Sequence, residues 1–298
     1  MSNTKTTPFD ILSIAICALT WGTTWFAITL QFGVVDPVIS VVYRFALAGA
    51  LLFLWCVLRG ESVSLTRAQH VAAFGVGLFT FGGDYTLVYW AEERVNSAVV
   101  AVLFAAMAFI NLIAFRIVYA QRAPLASWFG AALGVAGVAL LSWSEMTASN
   151  LSPRALIGIG FAFSGVVTAC IGNLFARRGE MAGAPVAAST AWAMAYGAAL
   201  LVVFALVTGR VWAFEMSARY IGSLLYLAMF GSVIAFLLYF GLARRRGYAT
   251  ASYIGALTPP VAMLVSSFFE AKTWGIFALA GVALVLSGQV LLLMKRKA

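Results

Sequence analysis

Charge is scarce in this sequence. Of 298 residues, 19 are Lys or Arg and 10 are Asp or Glu, so charged residues make up only 10%. A soluble domain carries about 25%. With so few charges a water-soluble globule could not cover an apolar content of 63%, which excludes an ordinary soluble enzyme and a disordered chain. Histidine occurs once, at His70, and one histidine without clustered carboxylates or thiols makes no metal centre. No DxxD, HExxH, GxSxG or GxxxxGK[ST] pattern is present, so catalysis, a bound metal and direct ATP drive have no residues to carry them. No cofactor is expected. Cysteine is limited to Cys17, Cys56 and Cys170, all inside apolar runs, which excludes a secreted disulfide framework.

Long apolar runs fill the space that charge leaves. Mean hydropathy is +0.98. The runs are too long and too uninterrupted for barrel strands, and roughly 20 apolar residues make a spanning helix. The pattern predicts an all-α polytopic membrane protein with ten transmembrane helices, at 11–31, 37–58, 69–90, 96–115, 124–143, 153–176, 185–207, 219–242, 249–269 and 274–294. Proline opens the second, sixth and seventh, where a missing N–H is harmless. The loops then average about eight residues, which leaves no room for a soluble domain, and the first run is too long for a signal-peptide core.

The net charge of +9 reads as topology rather than as a nucleic-acid partner. With the N-terminus inside, 13 Lys and Arg residues fall on the inner side and five on the outer side, with Arg44 inside the second helix. That bias predicts cytoplasmic N- and C-termini. A shift of 151 residues brings Gly130 onto Gly281, Gly137 onto Gly288, Phe79 onto Phe230, Leu87 onto Leu238 and Ala98 onto Ala249. The implied unit is five helices, residues 1–145 and then 146–298, and an odd unit inserts its second copy upside down. The loop Glu92-Glu93-Arg94 and its counterpart Arg244-Arg245-Arg246 reverse their charge bias, as that inversion requires. Inverted repeats of this kind typify secondary transporters, whose sites lie near the midplane.

These features resemble the drug/metabolite transporter superfamily in its ten-helix form with two EamA-type repeats. The resemblance rests on Trp21-Gly22, Pro37 with Arg44, Ala249, Pro259, Glu270 and the Gly281 and Gly288 pair. Within the superfamily the chain is most similar to bacterial YddG-type aromatic amino-acid exporters. The resemblance implies a bacterial inner-membrane exporter of aromatic and other neutral amino acids, working by alternating access around a cavity lined by helices 1, 3, 4, 6, 8 and 9. The same fold exporting drugs, cations or nucleoside-type metabolites is the alternative. The expected partners are a small-molecule substrate and the lipid bilayer, with no nucleic acid, as a monomer or a dimer.

Within the spans, few side chains can carry chemistry. Asp84 and Arg44 lie at matching depths. They form either a structural ion pair or a site for a proton or a substrate ammonium, because an isolated charge there is costly. The candidate substrate residues are Trp21, Thr24, Asp84, Tyr85, Tyr89, Asn111, Asn173, Ser232, Ser252, Tyr253 and Thr258. Polar groups of this kind also serve as interhelical glue. Tyr85 and Tyr89, four apart, share a face, whereas Trp192 and Tyr196 read as packing. Pro259 and Pro260 predict a midplane hinge in the ninth helix, where freed carbonyls need protein or a water-filled cavity. The fourth helix has Ala108 and Phe109 at the equivalent positions, so a break is expected less there. Glu270 and Lys272 are expected to screen each other, and Gly130, Gly134 and Gly137 to allow close helix contact.

Overall fold

The computed structural model describes residues 7–121, 125–148, 152–247, 251, 253–271 and 273–294. Among these residues ten helical rods form and no strand does. They are α1 Pro8–Thr29, α2 Pro37–Leu58, α3 Arg67–Glu92, α4 Ser97–Tyr119, α6 Pro153–Met181, α7 Val186–Val207 and α8 Ala218–Arg246, with α5 Leu125–Ala148, α9 Tyr253–Phe269 and α10 Ile276–Met294. The first seven are long and apolar enough to cross a membrane. The other three contain the shorter apolar segments Trp128–Leu141, Leu257–Phe269 and Ile276–Gly288. Large apolar side chains stand outward, with Leu58, Val207 and Phe268 exposed by 75%, 81% and 82%, as in a fold whose surroundings are hydrocarbon.

Helix starts are set by short polar caps. Thr7 and Thr66 each form a capping box, with Asp10 and Gln69 respectively. Asp36 accepts from the Val38 N–H, Asn96 from Ala98, Ser152 from Ala155 and Ser217 from Tyr220. Each cap satisfies an N–H that the helix itself leaves free, which matters most where lipid replaces water. Because Thr7 caps α1, the helix begins three residues before the expected position, and Asp10 is drawn inside it. Asp10 is fully buried and bonds Arg245 at 3.2 Å and Arg246 at 2.6 Å. Asp10 thus joins Asp84 as an acid buried within the helices.

The glycines show how the halves meet. The Cβ that Gly137 lacks would strike the Gly281 carbonyl, and the one that Gly288 lacks would strike the Gly130 carbonyl. Going up α5 thus means going down α10, so the two helices cross antiparallel with backbones in contact. Gly130 and Gly281 are repeat equivalents, as are Gly137 and Gly288. The contacts therefore exchange partners between copies, as a two-fold related interface does. Helices α2 and α7 pack on each other in the same way, with Gly49 against Ala191 and Ala195. The fold is two five-helix repeats of opposite orientation.

Two helices depart from α geometry at matching places. In α3, residues Gly77–Asp84 form a π-helical segment, and in α8 residues Met229–Ile234 do. Shifted by 151, the first covers 228–235, so the deviation is repeated. Such segments widen the turn and free carbonyls for other donors. Ser232 Oγ donates to Leu227 O five residues back, and the Gly231 carbonyl accepts from Trp21 Nε1 at 3.1 Å.

The midplane interruption lies where it was less expected. In α4, the α-helical stretches Ser97–Phe104 and Met107–Tyr119 are joined by a tightened turn at Ala105–Ala106. There the bonds run Ala105 N–H to Val102 O, Ala106 N–H to Leu103 O and Phe109 N–H to Ala106 O. By contrast α9 continues through Pro259 and Pro260. Pro259 has no N–H to offer the Gly255 carbonyl, and the Thr258 hydroxyl donates to that oxygen instead, at 3.1 Å. The hydroxyl thus supplies the bond that Pro259 cannot make.

Candidate functional site

A cavity of about 900 Å³, counting the open space at its mouth, lies between α1, α3, α4, α6, α8 and α9. These are the six helices that the family resemblance implied. The first contributes Trp21, Thr24, Trp25 and Ile28. From α3 come Thr80, Asp84, Tyr85 and Val88, leaving the π segment and entering the next turn. The tightened turn of α4 brings Phe104, Ala105, Met107 and Ala108 to the wall. Ala169 and Asn173 of α6, Phe236 and Tyr239 of α8, and Gly255 and Thr258 of α9 complete it with Ala251.

Aromatic rings make most of the wall. Trp21 packs on Phe236 and Tyr239 with centroids 5.3 and 5.4 Å away, and Trp25 on Phe104 at 4.9 Å. Beneath them Phe81 bridges Phe45 and Phe236, at 4.9 Å from each. Two polar atoms in this wall are buried without a hydrogen-bond partner: the acceptor Asp84 Oδ1 and the donor Trp25 Nε1. Buried polar atoms ordinarily find partners. One acceptor and one donor without partners thus belong to residues that line the same aromatic cavity. Gly165 admits the Asp84 carboxylate to this place, since a Cβ on it would stand 3.1 Å from Oδ1.

Arg44 does not pair with Asp84. Its Nε donates to Ser232 Oγ at 3.0 Å, its guanidinium lies 4.5 Å from the Tyr85 ring centroid, and Nη1 and Nη2 have no hydrogen-bond partner. The expected intramembrane ion pair is thus replaced by a cation held against an aromatic face. The cause is the second π segment, which presents Ser232 to Arg44 and leaves room at Gly231, where a Cβ would approach Nη2 to 3.1 Å.

Of the expected substrate residues, the structure brings Trp21, Thr24, Asp84, Tyr85, Asn173 and Thr258 to the cavity. It places three others outside the lining. Tyr89 is fully buried and donates to Gln31 Oε1 at 2.6 Å, fastening α3 to the end of α1. Ser232 anchors Arg44. Asn111 stands behind Asn173, whose Nδ2 donates to its Oδ1 at 3.5 Å. Ser252 and the Tyr253 side chain lie outside the described residues, as does Lys272. Glu270 is instead held by Asn96 Nδ2 at 2.9 Å and Ser97 Oγ at 2.6 Å. Trp192 and Tyr196 are packing residues, bonded to the Val63 carbonyl and to His70 Nδ1. The sequence reading missed Trp25, Thr80, Phe104, Met107, Phe236 and Tyr239; the aromatic ones look like any other bulky residue in an apolar run.

The two ends of the bundle are fastened differently. On the face carrying the N-terminus, Asp10 joins the start of α1 to the end of α8 through Arg245 and Arg246. On the opposite face, Asn96 and Ser97 at the start of α4 hold Glu270 at the end of α9, and Ser266 Oγ donates to Asn96 Oδ1 at 2.6 Å. Both halves of α4 pack on α6 and α5, and the first half packs on α9 and α1 as well. The Asn96, Ser97 and Ser266 contacts tie the start of α4 to the end of α9 on the Glu270 face.

Comparison with known proteins decides the family. Residues 9–143 and again 156–294 match the EamA-like transporter family. The chain belongs to that family. It is similar to protein PagO of Salmonella typhimurium, at 26% identity over 85% of this chain and 82% of that one. It is similar also to the uncharacterized inner membrane transporter YedA of Escherichia coli K12, at 27% identity over 85% and 80%. Protein PecM of Dickeya dadantii shares 24% identity over 91% of this chain and 88% of that one. A crystal structure superposes with a TM-score of 0.73 over 95% of both chains at 18% identity, which shows that the fold is shared. This EamA-family chain is a polytopic membrane protein of a transporter family.

Proposed function

We propose that the protein exports zwitterionic amino acids, aromatic ones foremost, across the bacterial inner membrane by alternating access, with both termini in the cytoplasm. The observation that carries the reading is the cavity's pair of open polar atoms. Asp84 Oδ1 accepts a substrate ammonium, and Trp25 Nε1 donates to its carboxylate. The rings of Trp21, Phe104, Phe236 and Tyr239 then receive an apolar or aromatic side chain by edge and offset contacts. The buried Arg44 cation behind Tyr85 balances the charge of Asp84 at the scale of the site, so a molecule of no net charge is the natural occupant. A phosphorylated cargo is disfavoured, because it calls for several cations at the wall and the lining contains none. The two halves, 1–145 and 146–298, rock about the cavity and expose it to each side in turn.

An acid among aromatic rings also suits an organic cation, and this second reading drops the role of Trp25. Counterflow of radiolabelled phenylalanine, tryptophan and a quaternary amine into proteoliposomes separates them. Saturable amino-acid exchange that falls by about tenfold or more in Asp84→Asn supports the proposal, since one lost charge-assisted bond is worth roughly 1.5–3 kcal/mol. Exchange of the amine alone overturns it.

A further inference from the structure

The Glu270 face contains an acid that the central cavity does not use. Glu92, the last residue of α3, is only 6% exposed, and both of its carboxylate oxygens are buried without a hydrogen-bond partner. It lies within electrostatic reach of Glu270, four residues before the Asn96 that binds Glu270 and accepts from Ser266. One turn earlier on α3, Tyr89 donates to Gln31 Oε1 and so does not reach Glu92. The remaining charged groups around it are engaged elsewhere. Glu93 pairs with Arg94 at 3.3 Å, Arg94 also donates to the Trp90 carbonyl, and Arg154 of α6 donates to the Glu93 carbonyl. Asp36 at the start of α2 pairs with Arg210 at 3.0 Å, and deeper in α2 Arg44 is fixed on Ser232.

We propose that Glu92 is a proton-binding site built into this gate: the gate seals around the neutral acid and parts when the acid ionises. An ionised carboxylate shut away from water with neither donor nor cation is very costly, and a second carboxylate at Glu270 adds to the cost. A neutral acid has no such difficulty. Glu270 is held by the Asn96 and Ser97 donors while Glu92 has no donor, so the two acids have different tasks: one latches the helices and the other reports protonation. The ligand is a proton rather than a metal ion, since among the described residues no group of three or more metal-ligating side chains converges, and a hard cation needs six or more oxygens.

The proposal rests on the alternating-access reading, but its test reads the gate and not the cargo, so the two fail separately. The first arm uses the unaltered protein in lipid nanodiscs, treated with dicyclohexylcarbodiimide, which modifies neutral carboxylic acids in apolar surroundings. Peptide mass spectrometry is expected to find the adduct on Glu92 and not on Glu270, with less adduct as pH rises. The second arm places a thiol at the gate with Ser266→Cys and measures its reaction with a polar maleimide between roughly pH 6 and pH 8. Relative to the double variant Ser266→Cys/Glu92→Gln, which stays sealed, the rate is expected to climb about tenfold. An unmodified Glu92, an adduct independent of pH, or a maleimide profile identical in the two variants overturns the proposal.

Discussion

Trp25→Phe keeps an aromatic ring against Phe104 and removes one N–H, so it isolates the donor that Asp84 alone cannot supply. In the zwitterion reading the variant weakens amino-acid exchange by about tenfold or more, the worth of one hydrogen bond to a charged group, and leaves flux of an amine lacking a carboxylate unchanged. Asp84→Asn weakens both. Competition of unlabelled ligands against labelled phenylalanine in proteoliposomes measures the contrast, and equal losses for both ligand classes in Trp25→Phe would remove the carboxylate contact from the site. At this scale the sequence was legible wherever polarity stood out from an apolar run. Trp21, Thr24, Asp84, Tyr85, Asn173 and Thr258 were found in that way. It was illegible where only helix rotation decides. Successive residues turn by about 100°, and Asp84, Tyr85 and Val88 centre the cavity face of α3. Tyr89 falls beyond Tyr85, on the edge of that face farthest from Asp84, and meets Gln31. Its hydroxyl suggested a ligand contact from the sequence, yet it ties two helices together. Trp25, Phe104 and Tyr239 were hidden for the converse reason, since their type is common in any spanning helix.

Among the helices, the Pro259-Pro260 pair shows how a strong local signal is neutralised by one hydroxyl. Thr258→Val preserves shape and leaves the Gly255 carbonyl without its donor. The expected cost is about 1–3 kcal/mol, seen as a lower thermal midpoint in detergent. Adding Pro259→Ala returns a backbone N–H to the same carbonyl and restores most of the loss. Independent, additive effects in that cycle would mean that the hydroxyl is not what keeps α9 continuous. The π segments have weaker signatures. Gly77, Gly82 and Gly83 in α3 and Gly231 in α8 mark places where neighbouring atoms crowd the helix, but glycine is frequent throughout this chain, with 27 in all. The repeat offset, rather than any motif, ties Gly77–Asp84 to Met229–Ile234. The tightened turn at Ala105–Ala106 has no residue that marks it. Helix number and start points were readable because caps and apolar length are local properties. Deviations from α geometry were not, because contacts from other helices set them.

Across the whole molecule, the inversion of the repeats governs packing and topology alike. The antiparallel α5–α10 crossing depends on bare backbone at Gly137 and Gly288. Gly137→Val forces α10 away and is expected to cost about 1–3 kcal/mol or more as overpacking. Gly134→Ala, which meets nothing within 4 Å, leaves the thermal midpoint unchanged or slightly raised. The glycine pairs and the charge reversal between the loops were legible because an inverted repeat writes itself twice into a sequence, once in spacing and once in charge. The orientation of the bundle follows from the same duplication. The ends of α2 and α7 are repeat equivalents, so they must emerge on opposite sides. In the proposed orientation Arg59 and Arg67 put the α2–α3 loop on the cytoplasmic side, and the end of α7 then faces outward. Cys17, Cys56 and Cys170 are buried, so a single added thiol reports against a quiet background. In intact cells an impermeant maleimide is expected to label Thr208→Cys at once and Ser62→Cys only after the membrane is opened. Labelling of both from outside would refute the inverted arrangement, and labelling of Ser62→Cys alone would turn the transporter over, with the Glu92 gate then facing the cytoplasm.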